Sequence, residues 1–433
     1  MLRSKYMYRA LLLAATALCL SAQTAPAPED TKSKIKTVKE LAKQGPESIS
    51  RIQTYLGDVD TEVRLEAVKA IDDIGGPKSV DPLVRAAGDN DAEIQIRAVD
   101  GLVNFYSPGY LKTGLTGSIK RLGTALKSKF TDTNDLVIDP YVQVRPEVIQ
   151  AIGKLVTGGA SMDSRANAAH AIGILRGKAA EDQLVEALKS KDDQVMYESL
   201  IALQKIRDPE VAPRIAYLLN DPAEKIQIAA LETTGLLQNK TAAPNVRQVL
   251  DRSRNEKVKR AALSALAMLP DEANRPQYTL YLQNKDDQMR AAAAEGIGRL
   301  KDPKDLPEIQ KLFDSEKKMN PRLSQAFAAV SLGKNDLGEF SPLQYLINTL
   351  NSKSHRGVAE PFLVELTRNP GVRRTIYPTL RTGTKDEKTG LARVLSKSGD
   401  QESLKQLEPL ASDPDSDVAD EATRAIRNLK ARL

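Results

Sequence analysis

The sequence predicts an all-α solenoid, a right-handed superhelix built from antiparallel helix pairs. Val195, Ser199, Leu203 and Ile206 place apolar or small side chains along one face of a helix. The same spacing returns every 31 or 32 residues wherever the pattern is regular, as expected of stacked repeats. Aromatic residues make up only 4% of the chain and Trp is absent, so small and aliphatic side chains must fill the interior. Such an interior suits closely packed helices better than sheets.

Each repeat is predicted to contain a first helix, a turn and then this second helix. Further second helices begin near Val63, Ile94, Ile226, Val258, Met289 and Val418. First helices, marked by apolar residues at positions 1, 4 and 5, are indicated at 52–56, 215–219, 246–250, 278–282 and 309–313. The turns are rich in Asp, at Asp58, Asp60, Asp89, Asp91, Asp192, Asp193, Asp221, Asp286 and Asp287. Asp favours helix starts because its carboxylate accepts from free backbone N–H groups.

This helix pair, with its Ala-rich second helix and Asp turns, resembles the HEAT repeat family. The short period is most similar to the HEAT-like repeats of phycobilisome lyases. The resemblance covers residues 33–433 and implies about 11–12 repeats, with second helices along the inner face of the curve. It implies a fold more than a function, because these repeats mediate many unrelated interactions.

Two places break the 31-residue rhythm. An insert around 107–140 contains a predicted helix near 118–128 and an acidic loop at 131–140. The next frame, at Val144, lies only 20 residues before the frame at Ser164, so we expect a first helix to be missing there. In the second place, between Gly333 and Lys397, frames near His355 and Glu387 fit poorly. Such irregular repeats are where specific contacts are often found, although degeneration without function explains them equally well.

The N-terminus predicts export. Arg3, Lys5 and Arg9 precede an apolar run of about thirteen residues, which is too short to span a bilayer. Residues 1–22 are therefore predicted to be a secretory signal peptide cleaved after about Ala22, and 23–32 a Pro/Ala-rich linker. The expected location is periplasmic or secreted, without a stable membrane anchor. Uncleaved anchoring, or lipidation of Cys19, is the alternative, and Leu18 before that cysteine disfavours lipidation.

Charge and composition argue against several function classes. Removing the three cations of the signal peptide lowers the formal charge from +6 to +3, so we expect no nucleic-acid partner. Cys19 is the only cysteine, so the mature chain would lack disulfides, thiolate catalysis and cysteine-bound zinc.

The candidates for chemistry are few. His170 and His355 are the two histidines and lie in distant repeats, which in a solenoid do not meet. We interpret His170 as a satisfied surface or groove residue. Asp132, Asn134, Asp135 and Asp139 suggest a calcium loop, but Leu136 and Val137 stand where that motif needs a ligand and a glycine, which favours a solvated loop. No catalytic, cofactor-binding or metal-binding residue is therefore assigned, no cofactor is expected, and the chain is predicted not to be an enzyme.

A row of cations occupies the second position of many second helices: Arg64, Arg145, Arg165, Lys259, Arg290, Arg322 and Arg356. The row could receive acidic ligands along the concave face. Alternatively, it pairs with turn Asp residues and joins adjacent repeats, and the abundance of those Asp residues favours this structural interpretation.

The function we expect is that of an exported, non-catalytic scaffold that binds protein or peptide partners through its curved surface. The alternative is a regulatory subunit of a secreted or envelope enzyme complex. The family resemblance could also suggest a HEAT-like lyase or a nucleic-acid repair enzyme, but export disfavours both, because their usual substrates are cytoplasmic. The sequence specifies neither the interacting residues nor the oligomeric state.

Overall fold

In the computed structural model, residues 30–108 and 136–433 are described, and their regular structure is entirely helical. The predicted signal peptide, most of the linker and the predicted helix near 118–128 lie outside these residues. The α-helices are α1 (Thr31–Ala42), α2 (Ile49–Ile52), α3 (Thr61–Ile74), α4 (Val80–Ala86), α5 (Ala92–Tyr106), α6 (Pro146–Gly158), α7 (Met162–Ile174), α8 (Glu181–Ala187), α9 (Asp193–Ile206), α10 (Glu224–Leu236), α11 (Ala243–Arg252), α12 (Glu256–Ala267), α13 (Arg275–Tyr281), α14 (Asp287–Leu300), α15 (Leu306–Ser315), α16 (Met319–Ser331), α17 (Pro342–Asn348), α18 (Arg356–Leu366), α19 (Pro370–Ile376), α20 (Thr379–Thr382), α21 (Lys385–Ser398), α22 (Gln401–Leu407) and α23 (Ser416–Arg432). None of these helices has the length and apolar content needed to cross a bilayer.

The chain forms two compact units, residues 1–86 and 87–433. In the first unit, α1 packs against α3, and the short α2 contacts both. In the second unit the second helices stack on one another in the order α5, α7, α9, α10, α12, α14, α16, α18, α21 and α23. The first helices of this unit pack outside that stack, each against the second helix of its own pair, as α11 does on α12 and α15 on α16. This arrangement is the predicted all-α solenoid.

The predicted apolar frame forms the core. Ile226, Ala230, Thr234 and Leu237 are all buried, and so are the corresponding residues Val258, Ala262, Leu266 and Leu269. The predicted helix starts are also confirmed, because Asp side chains cap the second helices by accepting from backbone N–H groups of the first turn. These caps are Asp60, Asp91, Asp192, Asp286 and Asp415.

First helices are shorter and less regular than the sequence pattern suggests. The predicted segment 215–219 lies in a 3-10 helix, Pro209–Asn220, rather than in an α-helix. Pro213 lies inside this segment and has no backbone N–H to donate to a regular α-helical ladder. The position of this first helix was therefore predictable, and its helix type was not.

The expectation of a missing first helix before Ser164 is wrong. The residues near Val144 that resemble a second-helix frame belong instead to α6, which begins at Pro146. This helix packs against α7 and against the next first helix, α8, so it takes the place of the first helix of its pair. Ile152 and Val156 are fully buried in these contacts. Apolar spacing alone does not distinguish the two helices of a pair, because both bury one face.

The weakly repetitive stretch after Gly333 keeps the same architecture. The frames near His355 and Glu387 coincide with the starts of α18 and α21. Thr384 and Glu387 form a capping box at the start of α21, each side chain bonded to the other residue's backbone N–H. The first helix of this repeat is divided into α19 and α20. An apolar cluster from Phe313 to Leu429 fills the interior of this part of the chain.

Neighbouring second helices approach closely where a glycine faces an alanine. A Cβ atom added to Gly298 would lie 2.6 Å from the Cα of Ala328, and one added to Gly173 would lie 2.8 Å from the Cα of Ala202. Both distances are shorter than real Cβ contacts allow, and the opposing atom belongs to the backbone, which cannot move aside. The spacing between successive repeats therefore depends on the absence of a side chain here.

We expect Gly298→Ala to lower the free energy of unfolding by about 1–3 kcal/mol, because the added methyl overpacks the contact with Ala328. Alanine is the better helix former, so helix propensity alone predicts a gain. Gly357→Ala is the control, since Gly357 lies in α18 with no atom within 4 Å of the added Cβ. It should stabilise the protein by about 0.4–1 kcal/mol. Urea unfolding of both variants measures the difference, and equal effects of the two substitutions would contradict this account.

Candidate functional site

Three of the seven cations at the second position of the second helices close the turn before their own helix. Arg64 donates to the carbonyl of Asp58 at 3.0 Å, and Arg165 donates to Gly159 at 3.0 Å. Arg290 donates to the carbonyl of Asn284 at 2.8 Å. In each case the acceptor lies six residues earlier in the chain. Gln95, which interrupts the row of cations, makes the same contact with Asp89 at 2.6 Å.

Neighbouring repeats are joined by other charged pairs. Lys34 contacts Asp58 at 2.7 Å, and Lys388 contacts Asp413 at 2.9 Å. Arg290 uses the rest of its guanidinium for Glu316, at 2.8 Å. The predicted link between adjacent repeats is therefore found for Arg290, although its acceptor there is Glu316 and not an Asp. Arg64 and Arg165 instead bond to a backbone carbonyl of their own turn.

Arg322 departs from this pattern. Its guanidinium carbon lies 5.0 Å from the ring centroid of Phe313 and 4.8 Å from that of Tyr345. Arg322 thus packs against two aromatic rings that also contact each other, with centroids 5.4 Å apart. Such a site favours arginine because its cation is planar and weakly hydrated.

A partly buried charged cluster centres on Arg299 of α14. Its guanidinium forms two bonds of 2.9 Å to the carboxylate of Glu365 on α18 and one of 3.1 Å to Glu295. Ser324 also donates to Glu295, at 3.0 Å. Burial raises the pKa of Glu295, and the two carboxylates raise the pKa of Arg299 against the opposing effect of desolvation. The cluster joins repeats that are not sequence neighbours.

His170 is buried, not a surface or groove residue as its sequence context suggested. Its side chain is 0% exposed, and so is that of Glu198, whose carboxylate lies 2.9 Å from His170 Nδ1. Gln194 donates to the other oxygen of Glu198 at 2.8 Å. This contact joins α7 to α9 within the stack. His355, by contrast, lies near the surface beside Ser352 and Ser354.

Of the four residues considered as calcium ligands, only Asp139 is among the described residues. Its carboxylate is bound by other side chains of the protein. Arg424 of α23 donates two bonds of 2.9 Å to Asp139, and Asn428 donates a third at 3.2 Å. Asp132, Asn134 and Asp135 lie outside the described residues. Among residues 30–108 and 136–433, no three or more His, Cys, Asp or Glu side chains are grouped so as to hold a metal ion.

The contact of Asp139 with Arg424 contradicts the assumption that distant repeats do not meet, since these residues are 285 positions apart. Beside it, the guanidinium carbon of Arg427 lies 5.0 Å from the ring centroid of Tyr141. The backbone N–H of Ile138 also donates to the carbonyl of Ile174 at 3.0 Å. We call the contact of Asp139 and Tyr141 with Arg424, Arg427 and Asn428 the clasp.

The pKa of the Glu181 carboxyl is raised well above its usual value. Burial, together with the nearby Asp208 carboxylate, raises the pKa of Glu181 to about 7. Asp208 itself stays ionised because Lys178 lies 2.5 Å away, which lowers the pKa of Asp208. One Glu181 oxygen is buried without a hydrogen-bond partner in the described structure.

This shift predicts a pH-dependent stability. The folded pKa of Glu181 exceeds its unfolded value of 4.5, so its contribution is fully present below pH 4.5 and is lost as the pH rises through about 7. Glu181→Gln should therefore be more stable than the natural chain at pH 8 by about 1–3 kcal/mol. The gain should disappear near pH 4.5. Glu186→Gln removes an exposed pair with Lys189 instead and should change stability by less than about 0.5 kcal/mol at pH 8. Urea unfolding at the two pH values tests this, and a gain that is independent of pH would contradict it.

An accessible strip of side chains runs across α10 and α12. Ile228 and Leu236 are half-buried and Glu232 is exposed on α10, while Ser264 and Met268 are half-buried on α12. We call these five residues the open stripe. Partial desolvation by the surrounding protein raises the pKa of Glu232 although its side chain is exposed, a combination expected on a concave surface. Glu232 makes no ion pair or hydrogen bond within the described structure. Sequence analysis did not single out any of the five.

The family model for HEAT repeats matches residues 23–103, 149–233, 211–277 and 243–331, which together exceed half of the chain. The chain belongs to the HEAT repeat family. This confirms the resemblance found from the 31-residue period. The matched ranges leave out the insert and the stretch after 331, the two places where the period is weakest.

Comparison with solved structures found several that are similar to this chain at low sequence identity. The complex of CpcE and CpcF of phycocyanin lyase from Nostoc sp. PCC7120 is 21% identical, with 66% of this chain and 95% of that chain covered and a TM-score of 0.35. Importin beta is 13% identical, with 92% and 65% covered and a TM-score of 0.39. An engineered protein is 18% identical, with 88% and 98% covered and a TM-score of 0.37. Comparison with curated protein sequences found no match.

Proposed function

We propose that this HEAT-repeat protein is an exported scaffold that binds protein or peptide partners through its curved surface and performs no chemistry of its own. The open stripe is the observation that carries the proposal. It presents apolar side chains and one carboxylate without a protein partner on an accessible surface, which suits a peptide with apolar residues and a basic group.

The other prominent polar groups support this function indirectly. Arg64, Arg165 and Arg290 bond to turn carbonyls, and His170 and Arg299 lie in buried pairs. These contacts within the fold explain the positions of the side chains without a role in binding or catalysis. A regulatory subunit of a secreted or envelope enzyme complex is the second candidate, in which the same surface would hold a catalytic chain. A lyase or nucleic-acid repair activity is less favoured, because export separates the protein from their usual substrates.

Partner capture with matched variants tests the scaffold function. The mature chain is used to capture proteins from an envelope extract of its source cells, beside the variant Leu236→Glu/Met268→Glu. Leu280→Glu is the control, because Leu280 lies on the first helix α13 and is 70% exposed. We expect the natural chain and the control to retain the same partner and the stripe variant to lose it. Equal capture by all three, or turnover of a substrate by the purified chain alone, would contradict the proposal.

Export predicts a defined N-terminus for the mature protein. Cleavage after about Ala22 removes the three cations of the signal peptide and Cys19 together. We expect the intact mass of the periplasmic or secreted protein to correspond to a chain that begins at Gln23. A mass that includes Met1, or one that shows a lipid on Cys19, would argue against cleavage at this position.

A further inference from the structure

In the clasp, an irregular segment is bound to the surface of α23, and Arg424 on that helix lies 285 residues after Asp139 in the chain. Residues 136–145 contain no helix, and a turn closed by the Val142 N–H and the Asp139 carbonyl, at 3.0 Å, presents Asp139 and Tyr141 to α23. Pro140 lies inside that turn, where its fixed φ favours the bend. The segment therefore contacts α23 as a peptide ligand would.

The α23 side of the clasp has the chemistry of a recognition site. The guanidinium of Arg424 takes both oxygens of one carboxylate at 2.9 Å, and Asn428 adds a donor at 3.2 Å. This bidentate geometry is specific for a carboxylate. Arg427 offers a cation to an aromatic ring two residues further along the bound segment. Together these residues can recognise an acidic residue that is followed, two positions later, by an aromatic residue.

The clasp is also built so that it can open. The side chain of Arg424 is 54% exposed and that of Asp139 is 20% exposed, so water competes for the ion pair. Within the segment, the backbone N–H of Ile138 is bonded to another element, the end of α7. Contacts of this kind are individually weak, and a ligand with the same groups can replace them.

We propose that Arg424, Arg427 and Asn428 form a binding site for a partner peptide that carries an aspartate two residues before an aromatic residue. Residues 136–145 occupy this site until the partner displaces them. The inference deepens the proposed function, because it rests on the protein being a peptide-binding scaffold and names one chemistry that it binds. It concerns a surface other than the open stripe.

A synthetic peptide with the sequence of residues 136–143, Leu-Val-Ile-Asp-Pro-Tyr-Val-Gln, is the probe. It is fluorescently labelled and titrated with the mature chain and with the variant Asp139→Ala/Tyr141→Ala, in which the internal ligand is weakened. We expect the variant to bind the peptide at least tenfold more tightly than the natural chain. Asp182→Ala removes an exposed carboxylate that pairs with Arg214 and should bind as the natural chain does.

One substitution in the protein and one in the peptide test whether the peptide binds at this site. Adding Arg424→Gln to the opened variant, or replacing Asp by Asn in the peptide, should weaken binding at least tenfold. No binding by the folded opened variant, or equal binding of a scrambled peptide, overturns the proposal. Dimerisation of the opened variant without peptide also overturns it, because the site would then take a second copy of this chain.

Hydrogen exchange on the natural chain covers the case in which the opened variant does not fold. A saturating concentration of the peptide should accelerate exchange at the Ile138 amide, which the clasp holds near α7. Unchanged exchange there would overturn the proposal. If this peptide does not bind, partner capture by the open stripe can still succeed. The two experiments therefore test the two proposals separately.

Discussion

Arg299→Ala is expected to lower the free energy of unfolding by about 3–5 kcal/mol, as measured by urea unfolding at pH 7. The substitution removes the cation that holds Glu295 and Glu365 together. Glu295 then remains in the interior with only the Ser324 hydroxyl as a donor. An uncompensated buried charge costs more than the original pair contributes, so the loss exceeds that of an ordinary salt bridge.

Arg374→Ala is the matched control, because Arg374 and Glu402 form a pair whose side chains are 65% and 42% exposed. Its loss should cost far less than that of Arg299, because water and salt screen an exposed ion pair. A double variant, Glu295→Met/Arg299→Met, should recover most of the stability lost in Arg299→Ala, since apolar side chains of similar size often replace buried ion pairs well. If Arg299→Ala were no more harmful than Arg374→Ala, the cluster would not be a buried charge network.

His170→Ala should destabilise the protein by a similar amount, about 3–5 kcal/mol. The substitution leaves a cavity between α7 and α9 and takes the nearest partner from Glu198, whose side chain is 0% exposed. Gln194 still donates to the other carboxylate oxygen, but a neutral amide compensates only part of the charge. Thermal or urea unfolding at neutral pH measures the effect.

His355→Ala is the control for this prediction, because the His355 ring contacts only Ser352 and Ser354 among the hydrogen bonds of the described structure. It should change stability by less than about 0.5 kcal/mol. Combining His170→Leu with Glu198→Met should restore stability relative to His170→Ala. Normal stability of His170→Ala alone would contradict this account of the pair between His170 and Glu198.

The repeat architecture was predictable because its causes are local. Helical spacing places Val258, Ala262 and Leu266 on one face within a single helix, and a turn Asp caps the helix that follows it directly. Neither signal requires knowledge of a neighbouring repeat. It was not predictable in the same way that α6 is the first helix of its pair, or that Pro209–Asn220 forms a 3-10 helix. Both features depend on packing against other elements.

The candidate sites depend on contacts between repeats, and the sequence carries little information about them. His170 lies among alanines, and only the stacking of α9 on α7 shows that its environment is closed. Asp139 looked like a member of an acidic loop, while its partner Arg424 lies in the last helix of the chain. Their separation of 285 residues leaves no periodic signal that could join them.

The clasp also limits how this chain can evolve. In an open solenoid, a duplicated repeat lengthens the chain without disturbing the others, because each repeat contacts only its neighbours. A repeat inserted between α7 and α23 would shift α23 by about 9 Å, one helix spacing. Arg424 could then no longer reach Asp139, which it contacts at 2.9 Å. The contact therefore fixes the number of repeats between these two residues, whereas an open solenoid would tolerate a change in that number.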